Sequence, residues 1–273
     1  IAQRSHDLRP LGLGYANLGT LLMINGIPYD SEKGRAIAAA ITAITTGHAY
    51  KTSSEMAEIR GSFPDYEKNK NSMLKVMNMH RDAAYKLDVR YCPRYLLDSA
   101  REDCDNAIEL GEKYGYRNAQ AVVIAPTGTI GLLMDCATPG IEPEFSLIKW
   151  KKLAGGGYFK IINQSIKKTL ENLGYHKNEI SEMVEYVLSN GNIENAPYLK
   201  QEHLAIFDCA NKNSGGKRFI DPMGHVNMMA AVQPFVSGAI SKTVNIPNEA
   251  TVEDIENIYF EAWRIGLKCV ALY

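Results

Sequence analysis

The sequence predicts an α/β fold with many helices, because helical patterns alternate with short apolar runs that are typical of buried strands. Asn118–Ala125 is such a run, and it follows a long helix that we expect from Pro93 to about Tyr114. Near the end of the chain, Gly238–Ile246 and Leu267–Tyr273 also have strand patterns, and they flank an amphipathic helix. A strand, a helix and a strand in this order imply parallel strands joined by a right-handed crossover.

Capping residues and the spacing of apolar residues predict most of the remaining elements. Asp30 or Ser31 is expected to cap a long helix that reaches about Arg60, and Thr251 with Asp254 forms a capping box at the start of the last helix. The other predicted helices are Leu11–Ile24, Met73–Leu87, Phe159–Leu173, Asn178–Leu188 and Pro222–Phe235. We expect a surface loop at Gly61–Asn71, a flexible join at Gly155–Gly157 and an irregular excursion at residues 190–220.

The stretch after the central strand, Pro126 to Ile130, is the candidate binding site. Pro126 ends the strand, and Gly128 allows a backbone bend or a close approach that a side chain would block. Thr127-Gly128-Thr129 then offers free backbone N–H groups and two hydroxyls at the start of the next element. Such an arrangement suits an anion, most often a phosphate, and the alternative is a capped turn that binds nothing.

Two other glycine- or acid-containing stretches are weaker candidates. Gly12-Leu13-Gly14 resembles the start of a dinucleotide fingerprint, but Asn17 stands where the third glycine is required and no strand precedes it. We therefore expect a glycine-rich helix that packs closely on a neighbour. Glu142, in a turn-rich loop with two prolines, is a candidate general base, although a carboxylate in a loop is more often solvated or capping.

Composition and charge exclude several classes of protein. The chain has 273 residues, enough for one large or two smaller domains, and a formal net charge of −1, which gives no electrostatic footprint for nucleic acid or an anionic membrane. No stretch has the apolar length of a membrane-spanning helix. The five cysteines contain no CxxC pair, which argues against a zinc ribbon or a secreted disulfide framework. We expect a cytoplasmic protein.

Several stretches, taken together and in order, resemble the large chain of ribonucleotide reductases. The resemblance is closest to the adenosylcobalamin-dependent (class II) ribonucleoside-diphosphate reductases, and it spans nearly the whole sequence. The stretches that carry it are Arg9–Gly14 with Gly26–Ser31, Ala125–Ile130 followed by Gly140–Pro143, and Ser241–Asn248 with Ala250–Asp254 and Gly266–Lys268.

The resemblance implies a ten-stranded α/β barrel, of which residues 1–273 would be the C-terminal portion, truncated at both ends. It also implies reduction of ribonucleoside di- or triphosphates by a cysteine thiyl radical, with adenosylcobalamin as cofactor and an external dithiol as reductant. Pro126, Thr127, Gly128, Thr129 and Ile130 match the family's substrate-phosphate loop, in agreement with the interpretation of the residues themselves.

The sequence also departs from the family's pattern. The family's radical cysteine lies in an Asn-x-Cys-x-Glu context, which does not occur here, so we assign no catalytic residue and expect the isolated chain to be inactive. Cys136, Cys209 and Cys269 are not in the family's redox-cysteine contexts. The last predicted strand lacks the adjacent tyrosine pair of members that take their radical from a separate subunit, which favours the cobalamin class.

Two other functions stay open at the level of sequence. A different phosphate-binding α/β enzyme would need a metal-binding pair of carboxylates near Thr127–Thr129, and Asp135 with Glu142 are the nearby candidates. A scaffold domain would keep the fold and bind no nucleotide. An isolated half barrel exposes strand edges, so we also expect a tendency to form homo-oligomers.

Overall fold

The computed structural model describes residues 1–152, 156 and 158–273, and helices predominate among them. Gly155 and Gly157 of the predicted flexible join lie outside the described residues. The helices of the first half are α1 (Ala2–Leu8), α2 (Leu18–Ile24), α3 (Glu32–Arg60), α4 (Tyr66–Tyr85), α5 (Arg94–Tyr114) and α6 (Gly128–Leu133). Within the described part, none of the helices is both long and apolar enough to cross a membrane.

The described residues of the second half form four short strands and four further α-helices. Strands β1 (Ile148–Lys152) and β2 (Tyr158–Ile162) form an antiparallel hairpin, and β3 (Thr243–Val244) and β4 (Ala271–Leu272) form a parallel pair. The helices are α7 (Ser165–Asn172), α8 (Lys177–Asn190), α9 (Pro222–Val232) and α10 (Val252–Arg264), and 3₁₀ turns span Gln201–Phe207 and Gln233–Phe235.

Backbone hydrogen bonds join four extended segments side by side in chain order: residues 11–13, residues 120–125 (the central segment), residues 238–244 and residues 271–273. Isolated parallel bridges connect Leu13 with Val122 and Ile124 with Ile240, and the parallel β3–β4 pair continues from the third segment. The predicted parallel pairing of the last strand–helix–strand unit is therefore confirmed. The array places the carboxyl end of the central segment, Ala125, next to the candidate loop.

Three of the predicted helix starts are confirmed by their capping geometry. Ser31 caps α3 through its hydroxyl, which accepts a hydrogen bond from the Gly34 N–H at 3.0 Å. Pro93 is the N-cap residue of α5, and Thr251 with Asp254 forms the capping box of α10. The Ser31 and Thr251 side chains accept hydrogen bonds from N–H groups that have no partner inside the helix. Pro93 makes no such bond and favours the helix start through its restricted backbone.

The predicted helix Leu11–Ile24 is wrong in its first part. Leu11 and Leu13 are extended, their N–H groups donate to the carbonyls of the central segment, and α2 begins only at Leu18. A side chain on Gly14 would overlap the carbonyl oxygen of Val123, so the glycines serve a close approach of two extended backbones. The predicted close packing is confirmed, and the helix predicted around these glycines is wrong.

Two further boundaries differ because buried side chains override the local pattern. The predicted loop Gly61–Asn71 contains the start of α4, since Phe63 and Tyr66 are buried against Tyr116. The predicted helix Phe159–Leu173 begins with β2 instead, and only Ser165–Asn172 is helical.

Residues 190–220 contribute to a core although they contain only a 3₁₀ turn as regular structure. Ile193, Leu204, Phe207, Cys209 and Ile220 are all buried. Most of them join a cluster with the apolar faces of α7 and α8. This segment thereby lies against the same part of the molecule as the β1–β2 hairpin.

Candidate functional site

The predicted loop lies at the end of the central extended segment, where the chain turns into the short helix α6. Thr127 is the N-cap residue, and Gly128, Thr129 and Ile130 form the first turn of α6. The N–H groups of a first turn have no partner inside their own helix. Pro126, Gly128, Thr129 and Ile130 are exposed and Thr127 is half-buried, so the loop residues lie together and are accessible.

Thr127 holds a strained backbone conformation and is fixed by its side chain. Its φ of 45° and ψ of 41° lie in the left-handed region, which is unusual for a β-branched residue. The Thr127 hydroxyl accepts a hydrogen bond from the Gly140 N–H at 2.5 Å. Strained backbone of this kind is concentrated at functional sites, where the surrounding structure maintains it.

The bend predicted at Gly128 is at Thr127 instead, since Gly128 does not have a positive φ. A Cβ built on Gly128 meets no atom within 4 Å. Gly128 therefore leaves open space in front of the loop and is not required for protein packing. The close approach occurs at Gly140 (φ 47°), where a Cβ would lie 2.7 Å from the carbonyl oxygen of Ala125.

The turn-rich segment after α6 is held firmly against α2. Thr138 and Asn17 exchange backbone and side-chain hydrogen bonds, with the Thr138 N–H donating to Asn17 Oδ1 at 3.1 Å. A Cβ on Gly19 would lie 2.5 Å from the Glu142 carbonyl oxygen. The backbones of α2 and of this turn are therefore in direct contact, with no room for a side chain at Gly19. The Tyr29 hydroxyl donates to the Ile141 carbonyl at 2.6 Å.

A cavity of about 420 Å³ opens beside the loop. It lies between Pro126 with the turn-rich segment after α6 on one side and the ends of the third and fourth extended segments on the other. Its walls include Pro126, Pro139, Glu142, Thr243, Asn245 and Tyr273. The volume falls in the range of small-molecule sites, and the walls combine apolar and hydrogen-bonding groups.

Glu142, the candidate general base, is half-buried and forms an ion pair with a buried lysine. Its Oε2 lies 2.5 Å from Lys242 Nζ, and its Oε1 accepts a hydrogen bond from the Thr243 N–H at 2.7 Å. Both carboxylate oxygens are thus engaged, and this geometry favours a structural role. Among the described residues, no group of three or more His, Cys, Asp and Glu side chains is arranged to hold a metal ion.

Lys242 and His225 complete this network, and sequence reasoning missed both. Lys242 Nζ also lies 2.8 Å from His225 Nδ1 and 2.8 Å from the Thr243 carbonyl oxygen. Burial lowers the pKa of Lys242, and the nearby Glu142 carboxylate opposes that shift. Burial, together with the Lys242 charge, lowers the pKa of His225 to about 2, so its ring is neutral and Nδ1 accepts a hydrogen bond from the Lys242 ammonium group.

A second acidic residue at the cavity, Glu144, is almost fully buried. It accepts hydrogen bonds from Asn163 Nδ2 at 2.6 Å and from the Phe145 N–H at 3.2 Å, and it pairs with Lys149 at 2.8 Å. Burial raises its pKa, and Lys149 counteracts the rise. Lys149 lies on β1 and Asn163 directly follows β2, so Glu144 ties the β1–β2 hairpin to the cavity wall.

The cysteines show no reactive pair among the described residues. Cys92, Cys104 and Cys209 are buried, Cys136 is half-buried and Cys269 is exposed, and all five are free thiols. Burial raises the pKa of Cys104 and of Cys209 to about 12, which disfavours the nucleophilic thiolate.

Comparison with known proteins relates this chain to one family of enzymes. The barrel domain of ribonucleotide reductase matches residues 1–273. A vitamin B12-dependent ribonucleotide reductase of Rhodopirellula baltica is 52% identical over 273 residues, which are 100% of this chain and 26% of that protein. The enzyme of the same description from Streptantibioticus cattleyicolor is 49% identical over 276 residues, and the chain covers 45% of it.

A solved structure shows the same fold at low sequence identity. The match to the α subunit of the class Id ribonucleotide reductase of Actinobacillus ureae covers 99% of this chain and 40% of that subunit, with a TM-score of 0.65 and 19% identity. The chain thus spans less than half the length of each of these three proteins. Because the family match extends from the first residue to the last, the chain belongs to the ribonucleotide reductase barrel-domain family.

Proposed function

We propose that this chain supplies the substrate-phosphate site of a vitamin B12-dependent reductase that converts ribonucleotides to deoxyribonucleotides. The observation that carries the proposal is the geometry of Pro126–Ile130, an exposed first helical turn that follows a parallel extended segment. Membership of the family and the description of the Rhodopirellula baltica relative support the reaction class.

The phosphate contacts come from the backbone and from two hydroxyls. The N–H groups of Gly128, Thr129 and Ile130 point out of a helix start, where the helix dipole favours negative charge. The Thr129 side chain is exposed beside them, and Thr127 fixes the entry to the turn. The ligand would be a ribonucleoside di- or triphosphate, and the cavity of about 420 Å³ is suited to part of such a molecule.

We also propose that this chain forms part of a ten-stranded α/β barrel in an enzyme that uses radical chemistry. In the family's reaction, a cysteine thiyl radical removes the 3′-hydrogen of the sugar, a pair of cysteines supplies the electrons, and an external dithiol is the reductant. This sequence contains no Asn-x-Cys-x-Glu, so its own residues would hold and orient the substrate and would not form the radical. The isolated chain is therefore predicted to be inactive, and self-association through exposed strand edges is predicted as well.

Adenosylcobalamin would supply the radical in the whole enzyme. A cobalamin is much larger than the cavity of about 420 Å³ beside the loop, and no histidine lines that cavity. The cavity therefore does not fit the cofactor. We assign no cobalamin contact to this chain and derive no step of the reaction from it.

A nucleotide titration tests the proposed site. Cytidine and guanosine di- and triphosphates are added to the isotope-labelled chain, and the amide NMR signals of Gly128, Thr129 and Ile130 are followed. We expect saturable shifts of these signals with the phosphorylated nucleotides and no shifts with the corresponding nucleosides. Shifts with nucleosides alone, or saturable shifts elsewhere and none at the loop, would contradict the proposal, and no response to any nucleotide would favour a scaffold domain.

A further inference from the structure

Lys242, at the start of the segment that forms β3, has a fully buried side chain. Its ammonium group has three N–H donors, and three acceptors surround it: Glu142 Oε2, His225 Nδ1 and the Thr243 carbonyl oxygen, at 2.5, 2.8 and 2.8 Å. The cavity beside the loop is lined by its neighbours Ser241 and Thr243 and not by Lys242. A ligand in that cavity therefore does not touch Lys242.

Glu142 belongs to the turn at residues 140–143 and connects this turn to Lys242. One carboxylate oxygen binds Lys242, and the other accepts the Thr243 N–H at 2.7 Å. The turn at residues 140–143 is thereby fastened to β3, although Glu142 and Lys242 are separated by 100 residues in the sequence. A charged pair of this kind, once buried, resists rearrangement because removal of one partner leaves the other charge without compensation.

The same turn holds the phosphate loop. The Gly140 N–H donates to the Thr127 hydroxyl at 2.5 Å, and Gly140 lies so close to Ala125 that a Cβ would be 2.7 Å from its carbonyl oxygen. Thr127 is the residue in the left-handed conformation that aims the first turn of α6. A shift of the turn would thus release the constraint on Thr127.

We propose that Lys242 is a positioning residue for the phosphate loop and acts on it through Glu142, the 140–143 turn and the Thr127 hydroxyl. The inference rests on the proposed function, because it assigns Lys242 a role in the substrate affinity of that same loop. Lys242 itself touches neither the substrate nor the reacting atoms.

Two measurements on the full 273-residue chain test this inference. The first is the hydrogen-exchange rate of the Gly140 amide without ligand, and the second is the affinity for guanosine and cytidine diphosphates. Lys242→Met should speed Gly140 exchange by about tenfold and weaken nucleotide binding by about tenfold, the scale of one lost charge-assisted hydrogen bond. If Lys242→Met does not fold, Lys242→Gln, which keeps a donor for Glu142, replaces it with smaller effects expected in the same direction.

A double-mutant cycle separates positioning from direct attraction of the phosphate. If Lys242 acts through Glu142, the double variant Lys242→Met with Glu142→Gln should bind no more weakly than the weaker single variant. Additive losses of affinity would overturn the inference and would indicate long-range attraction by the Lys242 charge.

A matched control removes another partly buried ion pair. Arg218 contacts Asp208 through two hydrogen bonds of 2.7 and 2.6 Å, and neither residue lines the cavity beside the loop. Arg218→Met should lower stability and leave both Gly140 exchange and nucleotide affinity unchanged. Failure of the wild-type chain to bind any nucleotide would defeat the proposed function. Unchanged Gly140 exchange in a folded Lys242→Met variant would defeat the inference about Lys242, whatever the wild type binds.

Discussion

Thr127 has a strained backbone conformation at the start of the proposed phosphate loop. A β-branched residue in the left-handed region carries a conformational cost of roughly 1–2 kcal/mol. The hydrogen bond from the Gly140 N–H to its hydroxyl compensates part of this cost. At the same time, the conformation turns the chain from the central segment into α6. The sequence predicted a turn after the central segment, which is observed, but it placed the bend at Gly128, because glycine is the usual residue for positive φ.

His225 makes stability depend on pH. Its pKa is lowered to about 2 in the folded chain, against about 6.5 in an unfolded one. Between these values the unfolded state binds more protons, so stability falls as pH decreases below about 6.5. The slope from this residue approaches ~1.4 kcal/mol per pH unit well below pH 6.5, and the loss between pH 6.5 and pH 4.5 amounts to ~2.3 kcal/mol.

We therefore expect the free energy of unfolding of wild type to fall by this amount from pH 6.5 to pH 4.5, relative to that of His225→Asn. Urea titrations of both proteins at pH 6.5, 5.5 and 4.5 measure the difference. His80, whose pKa is also lowered by burial, contributes to both proteins and cancels in the comparison. His48→Asn, at an exposed position, serves as the control. Equal pH slopes for wild type and His225→Asn would contradict the buried neutral histidine.

At the scale of elements, the contact between α3 and α5 depends on Gly47. A Cβ at this position would lie 2.8 Å from two backbone atoms of α5, the Asp103 carbonyl carbon and the Cys104 nitrogen. Alanine improves helix propensity by about 1 kcal/mol, but overpacking against a backbone typically costs 1–3 kcal/mol.

Gly47→Ala should therefore lower the free energy of unfolding, by up to ~2 kcal/mol, in a urea titration. Gly131→Ala, in α6, is the matched control, because the nearest atoms to its Cβ are 3.8 Å away. The control should be neutral or more stable by up to ~1 kcal/mol. A Gly47→Ala variant more stable than wild type would show that the two helices are not in close backbone contact.

The sequence predicted elements best where local signals decide them. The caps at Ser31 and Thr251 and the long apolar face of α5 are local, and all three are confirmed. Leu11–Gly14 was predicted helical because its apolar spacing continues into α2, whereas pairing with Val123, more than a hundred residues away, makes it extended. The start of β2 was missed because its apolar residues also fit the face of the following helix.

At the scale of the whole molecule, the candidate site assembles from segments that are distant in sequence. The loop and the 140–143 turn lie close together in the chain, and a sequence motif could identify them. Lys242 and His225 join them only in three dimensions. No pattern along the chain links Lys242 to Glu142, so the network that fixes the turn could not be predicted. The family resemblance, in contrast, was carried by ordered motifs over the whole chain and is confirmed.

The central claim is that the first turn of α6 binds a phosphate, and substitutions at Gly128 test it most directly. Gly128 faces open space, so a side chain there does not disturb packing. An aspartate in a first turn is favourable for the helix by about 0.3–1 kcal/mol, but it repels an anion at the same point. Asparagine has the same shape without the charge.

The decisive measurement is the dissociation constant of guanosine or cytidine diphosphate for wild type, Gly128→Asn and Gly128→Asp, with thermal unfolding to verify the fold. We predict that Gly128→Asp binds at least about tenfold more weakly than Gly128→Asn while its unfolding temperature is equal or higher. Equal affinities of these two folded variants would contradict a phosphate site at this loop.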